Sequence, residues 1–594
     1  MLIMAKEKLI DRFTRWRIRR LGDRNFIYLL SIVVGLIAGF AAVVIRNSVY
    51  LMRTLLEYGI TSLSENYLFF VYPAAGILMT ILFMRYFVRS KAGHGIPEVL
   101  YSISRNNSIL PRHTMFSSIV GSALTVGFGG SVGLEGPTVS TGAGLGSNIG
   151  RALRLNQKQL TLMIGCASAG AIASIFKAPI AAIVFCLEIL LLDLTMSSVV
   201  PLLIASVSGT LTSYLFLGQS VVYNFEASMG FRMEDLLPFI LLGVVCGLIS
   251  VYFTRVYMYT GKIFKKLKNP YARFAFGSLG LGILLFLFPP LFGEGYNEIN
   301  ECLRGDYSFV FLNSPFYDPR DSIITAMLLL LAAVLLKVVA MSLTFSAGGV
   351  GGIFAPSLFV GANLGLFFSV SARWLGFRDL SPGNFALVGM AGIMAGVMHA
   401  PLTSIFLIAE ITGGYHLLVP LMITATISYL TIRYFVPYSL NAMRLAERGE
   451  LMTHNKDKSV LTMMKIDDLI EQDFSTVDAN ATLGDLVRVI KVSKRNVFPV
   501  IDRDNNFLGV VFVNDIRNIV FEPPLYNKVF VRDLMFMPEP SVSPDESMES
   551  VAHKFEMCSH YNLPVLKNGK YIGFVSRANV FSRYRSLIKS ISEE

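Results

Sequence analysis

Gly129-Gly130-Ser131-Val132-Gly133-Leu134-Glu135-Gly136-Pro137 and, about 220 residues further on, Gly348-Gly349-Val350-Gly351-Gly352-Ile353-Phe354-Ala355-Pro356 are two glycine-rich turns that end in proline, each interrupting an apolar stretch. Glycine frees the backbone from side-chain clashes, and proline in a first helical turn sacrifices no amide that the helix would have used. Each turn can therefore present a helix N-terminus with free N–H groups in an apolar setting, and such an end attracts anions. Only the first copy carries a charge, Glu135.

The composition implies a membrane around these turns. With 53% hydrophobic and 16% charged residues over 594 positions, and a mean hydropathy of +0.56, the chain reads as a polytopic α-helical membrane protein. Apolar runs at 26–51, 68–88, 236–253, 274–292 and 323–343 are long enough, or nearly so, to cross a hydrocarbon core of about 30 Å. Other apolar stretches are broken by Gly and Pro. Broken spans are tolerated only where protein or a water-filled cavity shelters the freed backbone groups, and they mark the binding region of transporters. Lys6, Lys8, Arg12, Arg15, Arg17, Arg19, Arg20 and Arg24 precede or flank the first span, which places the N-terminus in the cytoplasm by the positive-inside rule. The net charge of +11 is read as this arm (1–25) and short loops lying against anionic lipid, with no nucleic-acid role. No cleavable signal is evident. Cys166, Cys186, Cys246, Cys302 and Cys558 lack metal spacing and read as small core residues.

The two turns belong to a longer internal repeat. TVSTGAGLG at 138–146 matches SLFVGANLG at 357–365, and AGAIASIFKAPIAAIVFCLEI at 169–189 matches AGIMAGVMHAPLTSIFLIAEI at 391–411. Ala178-Pro179 aligns with Ala400-Pro401, and Glu188 with Glu410. A duplicated membrane half with helices broken at matching places is the mark of an inverted-repeat transporter, with its site at the repeat interface. The repeats are placed at about 70–216 and 323–436, within a membrane domain spanning 26–443.

These residues resemble the CLC family of chloride channels and chloride/proton antiporters. Gly93-His94-Gly95-Ile96-Pro97-Glu98 stands where the family has G-S/x-G-I-P-E, Gly133 to Pro137 matches G-x-E-G-P, and Gly352 to Pro356 matches G-x-F-x-P. The resemblance implies an inverted-repeat CLC fold with broken helices, and a homodimer in the cell membrane in which each subunit has its own anion pathway. It implies that helix N-termini converge on dehydrated chloride, at His94, Gly95 and Ile96, at Gly133, Leu134 and Gly136, and at Gly352, Ile353, Phe354 and Ala355. It also implies that Glu135 is the gating glutamate. A carboxylate there competes with chloride for the same positive helix ends and leaves when protonated or displaced. The plainer reading of Glu135 is an ordinary helix cap.

Three departures from the family pattern bear on mechanism. His94 occupies the place of an anion-binding serine; it can donate to chloride from either ring nitrogen or be tied to backbone instead. Threading the last membrane helix puts Asn441 where relatives have a pore tyrosine, with Tyr438 close enough to restore a phenol under a shifted register. The family's F-x-x-E-E becomes Phe185-Cys186-Leu187-Glu188-Ile189, so the inner proton path has Glu188 first and, at the relay position, Ile189, which carries no proton. Glu188 and its twin Glu410 suggest a structural job such as pinning a helix end. The expected function is chloride transport as a proton/chloride antiporter. The alternative is a voltage- or pH-gated channel without proton coupling, favoured by Ile189.

After a charged connector at 444–465 the composition changes. Phe498-Pro499-Val500-Ile501-Asp502 leads through Asp504-Asn505-Asn506 to Leu508-Gly509-Val510-Val511, and Leu563-Pro564-Val565-Leu566 through Lys567-Asn568-Gly569-Lys570 to Ile572-Gly573-Phe574-Val575. Both read as strand, polar hairpin turn, strand. The pattern resembles a cytoplasmic α/β pair of CBS domains, at 466–522 and 529–588, which often bind adenine nucleotides between the copies. Of the ribose pattern G-h-h-S/T-x-x-D, the first copy keeps Asp515 but has Phe512 for the hydroxyl residue; the second keeps Ser576 but has Asn579 for the acid. Nucleotide binding and a purely structural dimerisation role both stay open. No cofactor is required, chloride being the transported ligand.

Rival classes fare worse. The spans hold no H-E-x-x-H and no paired Asp set, so an enzyme is not expected. A CBS-bearing divalent-cation transporter would want more intramembrane carboxylates than Glu135, Glu188 and Glu410. The ordinary G-I-F-A-P turn and the CBS pair argue against a fluoride-selective subclass. The acidic, aromatic stretch at 293–322 reads as a connector that either shapes the ion entrance or packs at the membrane surface.

Overall fold

The computed structural model describes residues 22–58, 68–89, 95–191, 196–219, 223, 225, 230–311, 323–377, 380–413, 415–446, 461, 464–538, 540–558 and 560–593. The chain forms two compact units, Met1–Leu451 and Met452–Glu594. Residues 1–21 of the basic arm, and most of the charged connector, lie outside the described residues.

The first unit is all helix. Its elements are α1 (Asp23–Tyr58), α2 (Leu68–Phe83), α3 (Ile96–Arg105), α4 (Thr114–Gly127), α5 (Glu135–Ala152), α6 (Gln157–Phe176), α7 (Pro179–Glu188), α8 (Met196–Leu217) and α9 (Leu236–Lys266). They continue with α10 (Pro270–Leu287), α11 (Tyr296–Arg304), α12 (Ile323–Ala347), α13 (Phe354–Trp374), α14 (Pro382–Met398), α15 (Pro401–Ile411), α16 (Leu418–Phe435) and α17 (Leu440–Ala446). Among the described residues nine helices are long and apolar enough to cross a membrane. The apolar runs underestimate several of them. α1 outlasts its run because Asp23 sits in its first turn, where a carboxylate suits the positive helix end, and no Pro or Gly halts it before Tyr58. The run at 274–292 breaks at Phe288, where Pro289 and Pro290 turn the chain into a short 3-10 segment.

The repeat seen in the sequence is a repeat of backbone. α6 ends at Lys177 (φ 55°) and α14 at His399 (φ 54°), both left-handed. The next helices start from Ala178 (φ −125°, ψ 79°) and Ala400 (φ −133°, ψ 71°), each with proline in the first turn. Small residues set the same close packing in both halves: a Cβ on Gly142 would stand 2.7 Å from the Ala167 carbonyl, and one on Gly361 2.5 Å from that of Gly389.

The halves are pinned crosswise. Glu188, ending α7, accepts from the Leu402 (3.1 Å) and Thr403 (2.7 Å) amides and from the Thr403 hydroxyl (2.7 Å), all at the start of α15. Glu410, near the end of α15, accepts from the Ile180 (3.1 Å) and Ala181 (2.8 Å) amides at the start of α7. Each carboxylate thus satisfies first-turn donors that a helix cannot bond itself.

The second unit contains two three-stranded sheets, in the orders β1-β6-β5 and β2-β3-β4. Strands β1 (Ile470–Glu471), β2 (Val477–Asp478), β3 (Val497–Ile501) and β4 (Phe507–Phe512) are followed by β5 (Asn562–Lys567) and β6 (Lys570–Ser576). Both expected hairpins are present, β3 with β4 and β5 with β6. Asn568 (φ 53°) and Gly569 (φ 79°) form the two-residue turn of the second, with positive φ at both positions as a type I′ turn requires. In the first turn the Asp502 carboxylate accepts from the Asp504 and Asn506 amides. The sequence does not reveal the exchange of β1, which lies at the start of the first copy yet pairs antiparallel with β6 of the second.

Candidate functional site

The two glycine-rich turns meet. Gly133 donates to the Gly352 carbonyl at 2.9 Å and Gly352 to that of Gly133 at 2.6 Å, a two-residue antiparallel bridge. From it α5 and α13 depart, with first-turn neighbours Leu134 (φ −91°, ψ −13°) and Ile353 (φ −98°, ψ −5°) in nearly the same conformation and no side-chain cap on either helix. α3 adds a third N-terminus from Gly95, whose φ of 65° and close approach to the Gly136 backbone, 3.1 Å from a would-be Cβ, require glycine.

A cavity of about 30 Å³ lies at this junction, lined by Ile96, Pro97, Gly136, Gly351, Gly352 and Ile353 from the turns, and by Tyr257, Phe345, Leu440 and Asn441 from α9, α12 and α17. That volume suits one water-sized occupant or small ion. Of the residues expected at the anion site, Ile96, Gly136, Gly352, Ile353 and Asn441 line it; Gly95, Gly133, Leu134 and Ala355 build its frame. The Phe354 ring points elsewhere, packing between Phe176 and Phe185 at centroid distances of 6.3 and 5.7 Å. His94 lies outside the described residues. Asn441 is buried, its amide 3.4 Å from the Met398 sulfur, whereas Tyr438 is 42% exposed and not among the lining residues. Tyr257, edge-on to Phe345 at 5.8 Å, was missed, since it sits in an uninterrupted apolar helix with no motif around it.

Glu135 opens α5 fully buried. Its Oε1 accepts from the Tyr296 hydroxyl at 3.1 Å, and the amides of Glu135 itself and Ala355 face the carboxyl. Its Oε2, lodged beside Gly133 and Gly352, has no hydrogen-bond partner. Tyr296 comes from the polar connector, whose first part is stitched to the turn before Glu135. Ser131 donates to the Leu291 carbonyl (2.8 Å) and Gly293 to that of Gly129 (3.0 Å), while buried Lys337 of α12 donates to the carbonyls of Leu291 (3.0 Å) and Gly293 (2.9 Å). This part of the connector therefore walls the Glu135 pocket.

At the positions expected to form the inner proton path, the Glu188 carboxylate is bonded to the start of α15 and Ile189 is buried. In the second unit Asp515 is exposed on a short helix, Val513–Ile516. The Ser576 hydroxyl donates to Glu471 (2.6 Å) and accepts from the Asn579 amide (3.1 Å), and Phe512 lies against Phe536 and His560.

The voltage-gated chloride channel domain model matches residues 75–433, more than half of the chain, and the CBS domain model matches 466–522 and 531–586. The chain belongs to the CLC family. A CLC relative, the "Putative chloride channel protein ClcB-like" of Ralstonia nicotianae, is 30% identical over 392 residues, covering 64% of this chain and 85% of its own. The H(+)/Cl(-) exchange transporter ClcA of Vibrio cholerae is 28% identical over 410 residues, 67% of this chain and 84% of its own. Among solved CLC structures, a slow cyanobacterial Cl-/H+ antiporter superposes with a TM-score of 0.60 at 22% identity, covering 72% of this chain and 98% of that one. The helical CLC fold and the CBS pair are thereby established.

Proposed function

We propose that this CLC protein carries chloride across the cell membrane as a proton/chloride antiporter, as a homodimer with both termini cytoplasmic, and that Glu135 is its gate. The observation that carries the reading is the buried Glu135 carboxylate at the meeting point of uncapped helix N-termini, beside a cavity of about 30 Å³. Chloride and the carboxylate are rivals for the same donors, so protonating Glu135 frees them for the anion. Asn441 offers an amide donor in the cavity; His94, next to Gly95, remains part of the proposed site.

One observation favours the second reading, a channel without coupling: Ile189 is apolar and Glu188 is held as a helix cap, so an inner proton route must run through other groups. Proton movement measured with chloride flux in reconstituted liposomes, at controlled membrane potential, separates the two. Uphill proton transport driven by a chloride gradient establishes the antiporter; chloride flux without protons, reversing at the chloride equilibrium potential, establishes the channel. Glu135→Gln should remove the pH dependence of transport, and an unchanged profile would refute the gate.

The CBS pair is assigned a structural role. Ser576 is engaged with Glu471, and aromatic Phe512 replaces the hydroxyl residue. Calorimetric titration with AMP and ATP should give no binding heat; saturable binding that is lost in Asp515→Ala would reverse the assignment.

A further inference from the structure

Beside the gate lies a second carboxylate that the anion pathway does not use. Glu294 stands between Gly293 (φ 62°) and Gly295 (φ 86°), and its Oε1 is buried without a hydrogen-bond partner. The left-handed glycines on either side let the chain reverse sharply there, and two residues on Tyr296 reaches Glu135. Tyr296 donates to Glu135 at 3.1 Å, and the negative charge of Glu135 bears on Glu294. Arg46 and Arg53 of α1 and Lys337 of α12 bring basic groups to bear on Glu294, and Lys337 also on Glu298. Fully buried Tyr223, its hydroxyl unpartnered, sets its ring edgewise to Tyr296 at 5.8 Å.

We propose that Glu135 and Glu294 form one proton-sharing unit, in which Tyr296 positions ionised Glu135 over the anion site and Glu294 holds the proton that releases it. Two buried carboxylates, each with an unpartnered oxygen and the charge of one bearing on the other, cannot both ionise at low cost, so they titrate as a pair. The Tyr296 hydrogen bond favours the ionised form of Glu135, which leaves the shared proton on Glu294. Release is the reverse distribution: an O–H bond breaks at Glu294, one forms at Glu135, and the charge left on Glu294 faces Arg46, Arg53 and Lys337. No electron changes hands. This deepens the proposed function and rests on Glu135 being the gate.

The test is chloride flux against pH in liposomes containing the full-length protein. Glu294→Gln removes the partner charge that helps Glu135 bind a proton at high pH; flux on the alkaline side falls about tenfold, the effect of one pH unit of coupling, while acid-side flux is unchanged. Tyr296→Phe has the opposite sign: without its hydrogen bond Glu135 protonates more readily, and the midpoint moves to higher pH with maximal flux retained. Glu294→Asp, which keeps the charge on a shorter stem, gives an intermediate profile and serves if the Gln variant is not recovered folded. Equal loss at every pH, or profiles that overlay the wild type, would overturn the proposal. Glu135→Gln in the same series distinguishes the two failures. If it abolishes pH dependence while the other variants change nothing, the gate stands and the shared unit falls; if it leaves pH dependence intact, the gate itself falls.

Discussion

Gly352 shows why single residues at the junction are irreplaceable. A Cβ there would come within 2.7 Å of the Gly136 amide nitrogen and 2.9 Å of the Glu135 Oε2, and the first obstacle is backbone that cannot rotate away. Gly352→Ala is therefore expected to push the turns apart at a cost of about 1–3 kcal/mol and to reduce chloride flux at least tenfold, roughly 1.4 kcal/mol in a rate. Gly261→Ala is the matched control: nothing lies within 4 Å of its would-be Cβ in the last two turns of α9, so flux is unchanged and the melting temperature is equal or slightly higher. Flux assays and thermal melts of the two variants check both. At this scale Glu135 was readable from its motif. Tyr296 was not, because its partner lies 161 positions away and the contact exists only once the connector is tied to the Gly129 turn.

Helix ends are the units that the repeat conserves within this chain. Glu188 and Glu410 were readable as twins, and a pinning role could be suggested, but what each pins is the opposite half. Replacing Glu410 by Gln turns a two-oxygen acceptor into one oxygen and an amide donor facing the α7 N–H groups. A destabilisation of about 1–3 kcal/mol is expected, seen as a lower melting temperature, with the pH profile of transport unaltered. A changed profile would give Glu410 a part in proton movement. α6 carries its own cap as well, Asn156 and Gln159 bonding each other's backbone amides. Asn156→Ala should cost about 1 kcal/mol and leave flux per folded molecule intact.

Across the whole molecule, each unit has its own apolar core, and the two CBS copies share one further cluster, Phe474, Val497, Phe507, Val510 and Phe574. Next to that cluster Arg495 pairs with Glu471 (2.8 Å) and Asp473 (2.7 Å), above the Phe474 ring. The Arg495 hydrogen bonds hold the Asp473 carboxyl below its usual range. A depressed carboxyl contributes stability that is complete above its unfolded pKa of about 4 and disappears as pH falls through the lower folded value. Melting of the second unit should accordingly weaken below about pH 4, and Arg495→Ala should flatten that dependence; the same acid sensitivity in the variant would exclude Asp473 as its source. Composition, the run lengths and the doubled motifs determined by themselves that the chain is a membrane protein of two repeated halves with a soluble α/β tail, and that one carboxylate stands at a helix start. These are local properties, written in hydropathy, Gly and Pro placement and self-similarity. The bridge between Gly133 and Gly352, the crosswise caps, the exchange of β1 and the Tyr296 contact with Glu135 were decided by the tertiary structure alone. Each joins segments distant in the chain whose own sequences carry no mark of the partner, and only packing brings them within hydrogen-bond reach.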